Sequence, residues 1–324
     1  MKDINDIQDM KDMQDIENAQ TVIEVSHLKK YYRDVKAVDD ISFSVKKGEL
    51  FGFLGVNGAG KSTTINMLCT LFPPTDGSAV ILGDRLGKDD EKIKHHIGVV
   101  YQNNCLDDRL SVRENLLIRG GLYETDKAKL RKNLAHVTEI LALSDVLKRP
   151  YRKLSGGQKR RAEIAAALMH APDILFLDEP TTGLDPATRK KVWETVHDLQ
   201  KEMEMTVFLT THYMEEAARA NHIAIMDHGK LISFGTPFEL KDEFAKDKLR
   251  LYYKPDKESE LITRLKEQKV TYFRKDTYIS LRIDRTMDAM RYLDEMRNDI
   301  NGFEVIQGTM DDVFLNVTGG ERDA

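Results

Sequence analysis

The chain has 324 residues, 41% of them hydrophobic and 32% charged, with a net charge of −5. These totals allow one large domain and a smaller one with real cores, and they disfavour nucleic acid as an electrostatic partner. Two cysteines without a CxxC pair, and no apolar run near the roughly eighteen residues that span a bilayer, argue against a structural zinc site or a membrane span. With no apolar export segment at the start, the expectation is a cytoplasmic protein with free thiols.

Residues 1–20 place Met1, Ile4, Ile7, Met10, Met13 and Ile16 three apart among six carboxylates and two lysines. A spacing of three drifts around an α-helix and holds no face. This stretch reads as an acidic low-complexity extension. Strands are expected at 22–25, 41–45 and 50–54, with LKKYYRDVKAVDD between the first two as an exposed loop carrying Tyr31 and Tyr32.

The third strand runs into GVNGAGKST, residues 55–63, and then into a helix expected to reach about residue 72, where PPTDG stops it. Strand, glycine turn, lysine, hydroxyl and helix are the parts of a phosphate-binding loop. Gly55, Gly58 and Gly60 let the backbone turn its N–H groups, including those of Asn57, Ala59 and Thr63, towards phosphate oxygens. The helix N-terminus adds further unpaired N–H groups. Lys61 can reach the outer phosphates and the Ser62 hydroxyl can ligate magnesium. The ligand expected is ATP with Mg2+.

Short strands follow at 79–82 and 97–101, the second stopping at Gln102. Residues 103–153 carry apolar positions at helical spacing among many charges and read as an inserted helical subdomain, with Ser111 and Glu114 spaced as a capping box. LSGGQ, residues 154–158, opens an alanine-rich helix. Ser155, Gly156 and Gly157 there form a second anion-binding helix start. Arg160 and Arg161 read as a solvated helix face. Cys69 reads as a core thiol, and His95, His96, His136 and His222 as surface or structural histidines.

The apolar run 174–177 ends in Asp178 and Glu179. A carboxylate there can hold magnesium opposite Ser62, and the next can orient or deprotonate a water. A helix at 187–202, a strand at 206–210, a helix from 214 and a strand at 223–226 complete a mainly parallel α/β unit. Beyond about residue 238, four short strands alternate with helices and read as a small antiparallel α+β domain.

Phosphate loop, Gln102, LSGGQ, the DE-terminated strand, Asp185 in TTGLDP and His212 in TTHYMEEA occur in that order. Over residues 22–239 this order resembles the nucleotide-binding subunits of ATP-binding-cassette (ABC) transporters. TTHYMEEA, GTPFELK and DVFLNVTGG are similar to the drug-resistance exporters of the daunorubicin type. The resemblance implies a P-loop NTPase core with a mostly parallel sheet, antiparallel strands and an inserted helical subdomain (residues 21–240), plus a C-terminal α+β accessory domain (241–324). It implies an ATPase working with a separate multi-span membrane permease, on the cytoplasmic face of the membrane. It also implies an ATP-dependent head-to-tail dimer, homodimeric or heterodimeric. Ser155, Gly156, Gly157 and Gln158 of one subunit would then face the γ-phosphate held by Lys61 of the other, with Asp185 at the seam.

By the same resemblance, Tyr32 stacks on adenine, His212 contacts the γ-phosphate beside Glu179, and Gln102 senses magnesium and water. Val56 departs from the proline common at its position, and Arg33 from the glycine common after the aromatic. A ribosomal ABC protein would carry two cassettes, and one LSGGQ is present. A chromosome-type relative would need a long coiled coil in the roughly ninety residues between the phosphate loop and LSGGQ, which are too few.

Overall fold

The computed structural model describes residues 19–319. Most of the acidic extension read in residues 1–20 therefore lies outside the described residues. The chain divides between Phe234 and Gly235 into two units.

In the first unit, β1 (Thr21–Tyr32) and β2 (Val35–Lys46) form one long antiparallel hairpin, paired as far as its tip at Tyr32 and Val35. The expected exposed loop at 28–40 is thus strand. Register shifts at Val25/Leu28, Leu28/Lys30 and Lys30/Tyr31 break the alternation that would have marked it. Leu28, Val38 and Ile41 nevertheless reach the core. β3 (Leu50–Gly55) leads to α1 (Lys61–Leu68). This helix stops short of the expected residue 72 because Thr70 turns left-handed (φ 61°) and the Leu71 N–H donates back to Asn66 O.

β4 (Asp76–Ile81) and β5 (Asp84–Arg85) join β1 and β2 in an antiparallel sheet of order β2-β1-β4-β5. After α2 (Asp90–His96) and β6 (Ile97–Val100), the insert supplies α3 (Val112–Gly121) and α4 (Lys127–Ile140). Ser111 and Glu114 form the expected capping box. Then come α5 (Gly156–Leu168), β7 (Ile174–Asp178), α6 (Pro186–Met203), β8 (Thr206–Thr211), α7 (Met214–Ala217), β9 (His222–Asp227) and β10 (Lys230–Gly235).

The second sheet has the order β10-β9-β3-β8-β7-β6, and from β9 to the edge strand β6 its neighbours pair in parallel. β3, β7 and β8 are buried along their whole length, as strands covered on both faces must be. Phe51, Phe53 and Phe176 crowd round Phe208 at ring distances of 5.1, 5.3 and 5.2 Å, and Phe43 from β2 closes on Phe51 at 5.5 Å. Each such side chain contributes about 1.5–3 kcal/mol by burial. The cluster fuses the two sheets and fixes where the ends of β3, β7 and β8 emerge. Trp193, the one tryptophan in the sequence, is 4% exposed on α6, with the Arg219 guanidinium 5.9 Å from its ring.

The second unit contains α8 (Pro237–Phe244), β11 (Asp247–Tyr253), α9 (Glu258–Glu267), β12 (Tyr272–Arg274), β13 (Ile279–Ile283), α10 (Ala289–Met296), β14 (Ile300–Ile306) and α11 (Met310–Val317). Its antiparallel sheet has the order β12-β13-β11-β14, the split βαββαβ pattern. Leu249 and Leu251 meet Leu261, Leu265, Tyr292 and Met296 in a separate core. α8 belongs to this unit and ties to α11 through Asn316 Nδ2 donating to Phe244 O at 2.7 Å.

Candidate nucleotide-binding and hydrolysis site

β3 delivers the phosphate loop at its C-terminal end. Gly58 and Gly60 take φ values of 84° and 107°, a region that favours glycine. A Cβ on Gly60 would stand 2.3 Å from Ala37 O, so this position is closed to any side chain. Asn57, Gly58 and Ser62 are at the surface, Thr63 is half-buried and Ala59 is buried. Lys61 is only 6% exposed, and its ammonium donates to Gly55 O at 2.7 Å and Val56 O at 3.1 Å. Burial lowers its pKa, while Glu179 and Asp178 pull the other way.

Those carboxylates arrive on β7, beside β8. Thr210 of β8 holds both: its hydroxyl donates to Asp178 Oδ1 at 2.6 Å and accepts from the Glu179 N–H at 3.0 Å. Glu179 has a left-handed φ of 45°, a costly backbone for a residue with a side chain. Its Oε2 accepts from Gln102 Nε2 at 2.9 Å and from the Thr182 hydroxyl at 3.0 Å, with His212 Nδ1 at 3.6 Å. Lys61, Gln102, Asp178, Glu179 and His212, spread over about two thirds of the first unit's sequence, are thereby brought to one place.

Ser155 to Gln158 and Asp185 form a second grouping. Ser155 caps α5, accepting from the Gln158 N–H at 3.3 Å while Gln158 Oε1 accepts from the Ser155 N–H at 3.0 Å. The glycines let α5 start against the neighbouring helix: a Cβ on Gly157 would stand 2.4 Å from Thr188 Cγ2, and one on Gly156 3.3 Å from Leu184 Cδ2. Asp185 caps α6 by accepting from the Thr188 N–H at 3.0 Å, and the bonds from Thr188 lower its pKa. Among the described residues no hydrogen bond or ion pair joins this grouping's side chains to Lys61 or Glu179. Tyr32 lies 46% exposed, edge-on to Phe72 at 6.2 Å. Tyr31 is committed elsewhere, donating to Asp39 at 2.6 Å.

The family described as ABC transporter matches residues 38–182, and the DrrA1-3-like ATP-binding protein C-terminal domain matches residues 235–318. The daunorubicin/doxorubicin resistance ATP-binding protein DrrA of Streptomyces peucetius is 39% identical over 309 residues, with 93% of each chain covered. The chain belongs to the ABC transporter ATP-binding subunits. It is 34% identical to the daunorubicin resistance ATP-binding protein DrrA3 of Streptomyces coeruleorubidus, over 94% of this chain and 98% of the relative. Against the linearmycin resistance ATP-binding protein LnrL of Bacillus subtilis it is 42% identical, over 70% of this chain and 73% of the relative.

Two solved cassettes superpose on it. One is dimeric, in a post-hydrolysis state with ADP and phosphate (TM-score 0.61, 26% identity, 66% of this chain and 98% of that one). The other is cbiO1 of Clostridium perfringens (TM-score 0.64, 26% identity, 76% and 95%). The subunit is therefore an ATPase that powers a transporter together with a separate permease. No helix among the described residues is long and apolar enough to cross a membrane.

The site fits magnesium by its donors. Ser62 offers a hydroxyl, and Asp178 keeps one oxygen beyond the one Thr210 occupies. These are hard oxygen donors of the kind magnesium takes beside phosphate oxygens. Among the described residues no three His, Cys, Asp or Glu side chains cluster to hold a metal unaided.

Three participants were not legible as such in the sequence. Thr210 and Thr182 sit in apolar or turn contexts that mark no role. Arg160, expected on a solvated face, is 5% exposed and donates to three carbonyl oxygens, and Arg161 is half-buried and donates to Leu141 O at 3.0 Å. A run of three basic residues on a helix wider than its exposed face cannot keep them all in water.

Proposed function

We propose that Glu179 activates the water that attacks the γ-phosphate of ATP, and that its environment is built for this. One observation carries the reading: two hydrogen-bond donors, Gln102 Nε2 and the Thr182 hydroxyl, and the His212 ring converge on a single carboxylate oxygen of a residue whose charge acts on the phosphate-loop lysine. Gln102 and His212 orient the carboxylate and the water, and His212 also meets the γ-phosphate. Lys61, with the N–H groups of residues 55–63, holds the outer phosphates. Magnesium, taken up by Ser62 and Asp178 with Gln102 nearby, would neutralise phosphate charge when bound. Tyr32 stacks on adenine.

Ser155, Gly156, Gly157, Gln158 and Asp185 act on the nucleotide of a second subunit in a head-to-tail dimer. Their placement at two exposed helix starts, apart from Lys61, supports this, as does the dimeric neighbour. A homodimer would have two complete sites. The relatives named for daunorubicin, doxorubicin and linearmycin resistance support a drug-like hydrophobic cargo, carried by a permease that holds this subunit on the cytoplasmic face of the membrane.

The test is Glu179→Gln. Phosphate release should fall about 10²–10⁴-fold, ATP affinity should stay, and a closed dimer should accumulate on gel filtration with ATP. Wild-type turnover would remove Glu179 from this role. Co-purification from native membranes should bring down a multi-span protein in stoichiometric amount; ribosomal proteins instead would overturn the transport reading.

A further inference from the structure

Arg160 stands out as a buried cation that takes its partners from main chain alone. Its Nη1 donates to Tyr101 O at 2.6 Å, its Nη2 to Asp178 O at 3.1 Å and its Nε to Pro180 O at 2.6 Å. These carbonyls are not a random set. Tyr101 immediately precedes Gln102, and Asp178 and Pro180 flank Glu179 on either side. One rigid guanidinium therefore grips the backbone at the roots of both side chains, across the strained left-handed residue.

One turn further along α5, Glu163 holds the far end of the segment after Gln102. Its Oε1 accepts from the Cys105 and Leu106 N–H groups at 2.9 and 3.1 Å, and from the Tyr151 hydroxyl at 2.7 Å. The Gln102 segment is thus slung between two side chains of a single helix, and that helix is the one Ser155 begins.

We propose that Arg160 is a positioning residue for ATP hydrolysis, holding Gln102 and Glu179 in mutual register and making that register follow any displacement of α5. This rests on the reading of Glu179 and Gln102 as the hydrolytic pair. Arg160 touches no phosphate and takes no part in binding nucleotide, so its effect belongs to turnover alone. In a head-to-tail dimer it would connect the α5 start serving one nucleotide with the carboxylate serving the other.

The experiment compares full-length wild type, Arg160→Gln, Arg160→Lys and Glu179→Gln for kcat, KM and equilibrium binding of a fluorescent ATP analogue. Arg160→Gln should keep affinity and KM within about twofold while kcat falls about 10- to 100-fold, the scale expected when reacting groups are misplaced by an ångström or less. Arg160→Lys should recover part of kcat, because an ammonium can still donate to some of the three carbonyls. Wild-type kcat in Arg160→Gln overturns the proposal. So does an equal loss of kcat and affinity without rescue by lysine, which marks a merely structural role. If Arg160→Gln fails to fold, Arg160→Lys decides: lowered kcat at unchanged affinity supports the proposal, and unchanged kcat overturns it. Wild-type turnover in Glu179→Gln removes the underlying site reading, whereas an inactive Glu179→Gln beside a fully active Arg160→Gln removes only the role of Arg160.

Discussion

At the scale of single residues, side chains near the site are divided between chemistry and support by what already occupies their polar atoms. Tyr31 and Tyr32 are neighbours with opposite fates. Tyr31 donates to Asp39, and that bond holds its phenol proton, pushing the pKa from 10.0 up to about 12. A group that binds its proton more tightly when folded stabilises below its ordinary pKa and loses that contribution as pH rises through the folded value. Tyr31→Phe should therefore lower the melting temperature at neutral pH, with a gap from wild type that shrinks as pH rises from about 10 towards about 12; thermal melts between pH 7 and 12 check this. An unchanged gap across that range would show that the Tyr31–Asp39 bond does not govern it. Tyr32 keeps its ring open, with Lys30 Nζ 5.3 Å from the centroid.

Residue-scale legibility followed the same division. Gly60 and Lys61 could be read because their spacing is local and phosphate geometry dictates it. Thr210 could not, since its value arises only when β8 lies beside β7. Arg160 was misread because its sequence neighbours are charged and its acceptors are main-chain atoms, which leave no trace in residue identity.

At the scale of elements, α5 has two kinds of beginning in one. Its reciprocal Ser155–Gln158 cap closes the helix start, while the same exposed N–H end suits an anion. Substitutions separate the two. Ser155→Ala should cost about 1 kcal/mol of stability through loss of the cap. Ser155→Asp should restore the cap and the melting temperature, yet depress ATP turnover below that of Ser155→Ala, because a carboxylate repels phosphate. Equal turnover in the two variants would detach Ser155 from nucleotide. Elements with clean periodicity or caps, such as α3 behind Ser111 and the buried β7, were readable in advance. The β1–β2 hairpin was not, because four register shifts scatter its apolar positions and the charged residues between them imitate a loop.

At the scale of the whole molecule, two separate cores mean that damage can be confined. Leu249 is fully buried in the second unit, so Leu249→Ala should cost that unit about 2–5 kcal/mol. Hydrogen exchange should then accelerate across residues 235–319 while the affinity of the phosphate loop for ATP holds. Loss of ATP affinity in parallel would show the two units to be energetically one. The expected change of pattern near residue 238 falls within α8, and the two units divide just before that helix. Trp193 has a different consequence. A single indole, sealed within α6 on the helix that Asp185 begins, gives the molecule an intrinsic optical gauge. A shift of its emission towards the red during turnover would report that helix lifting from the sheet, in the unlabelled protein and in real time.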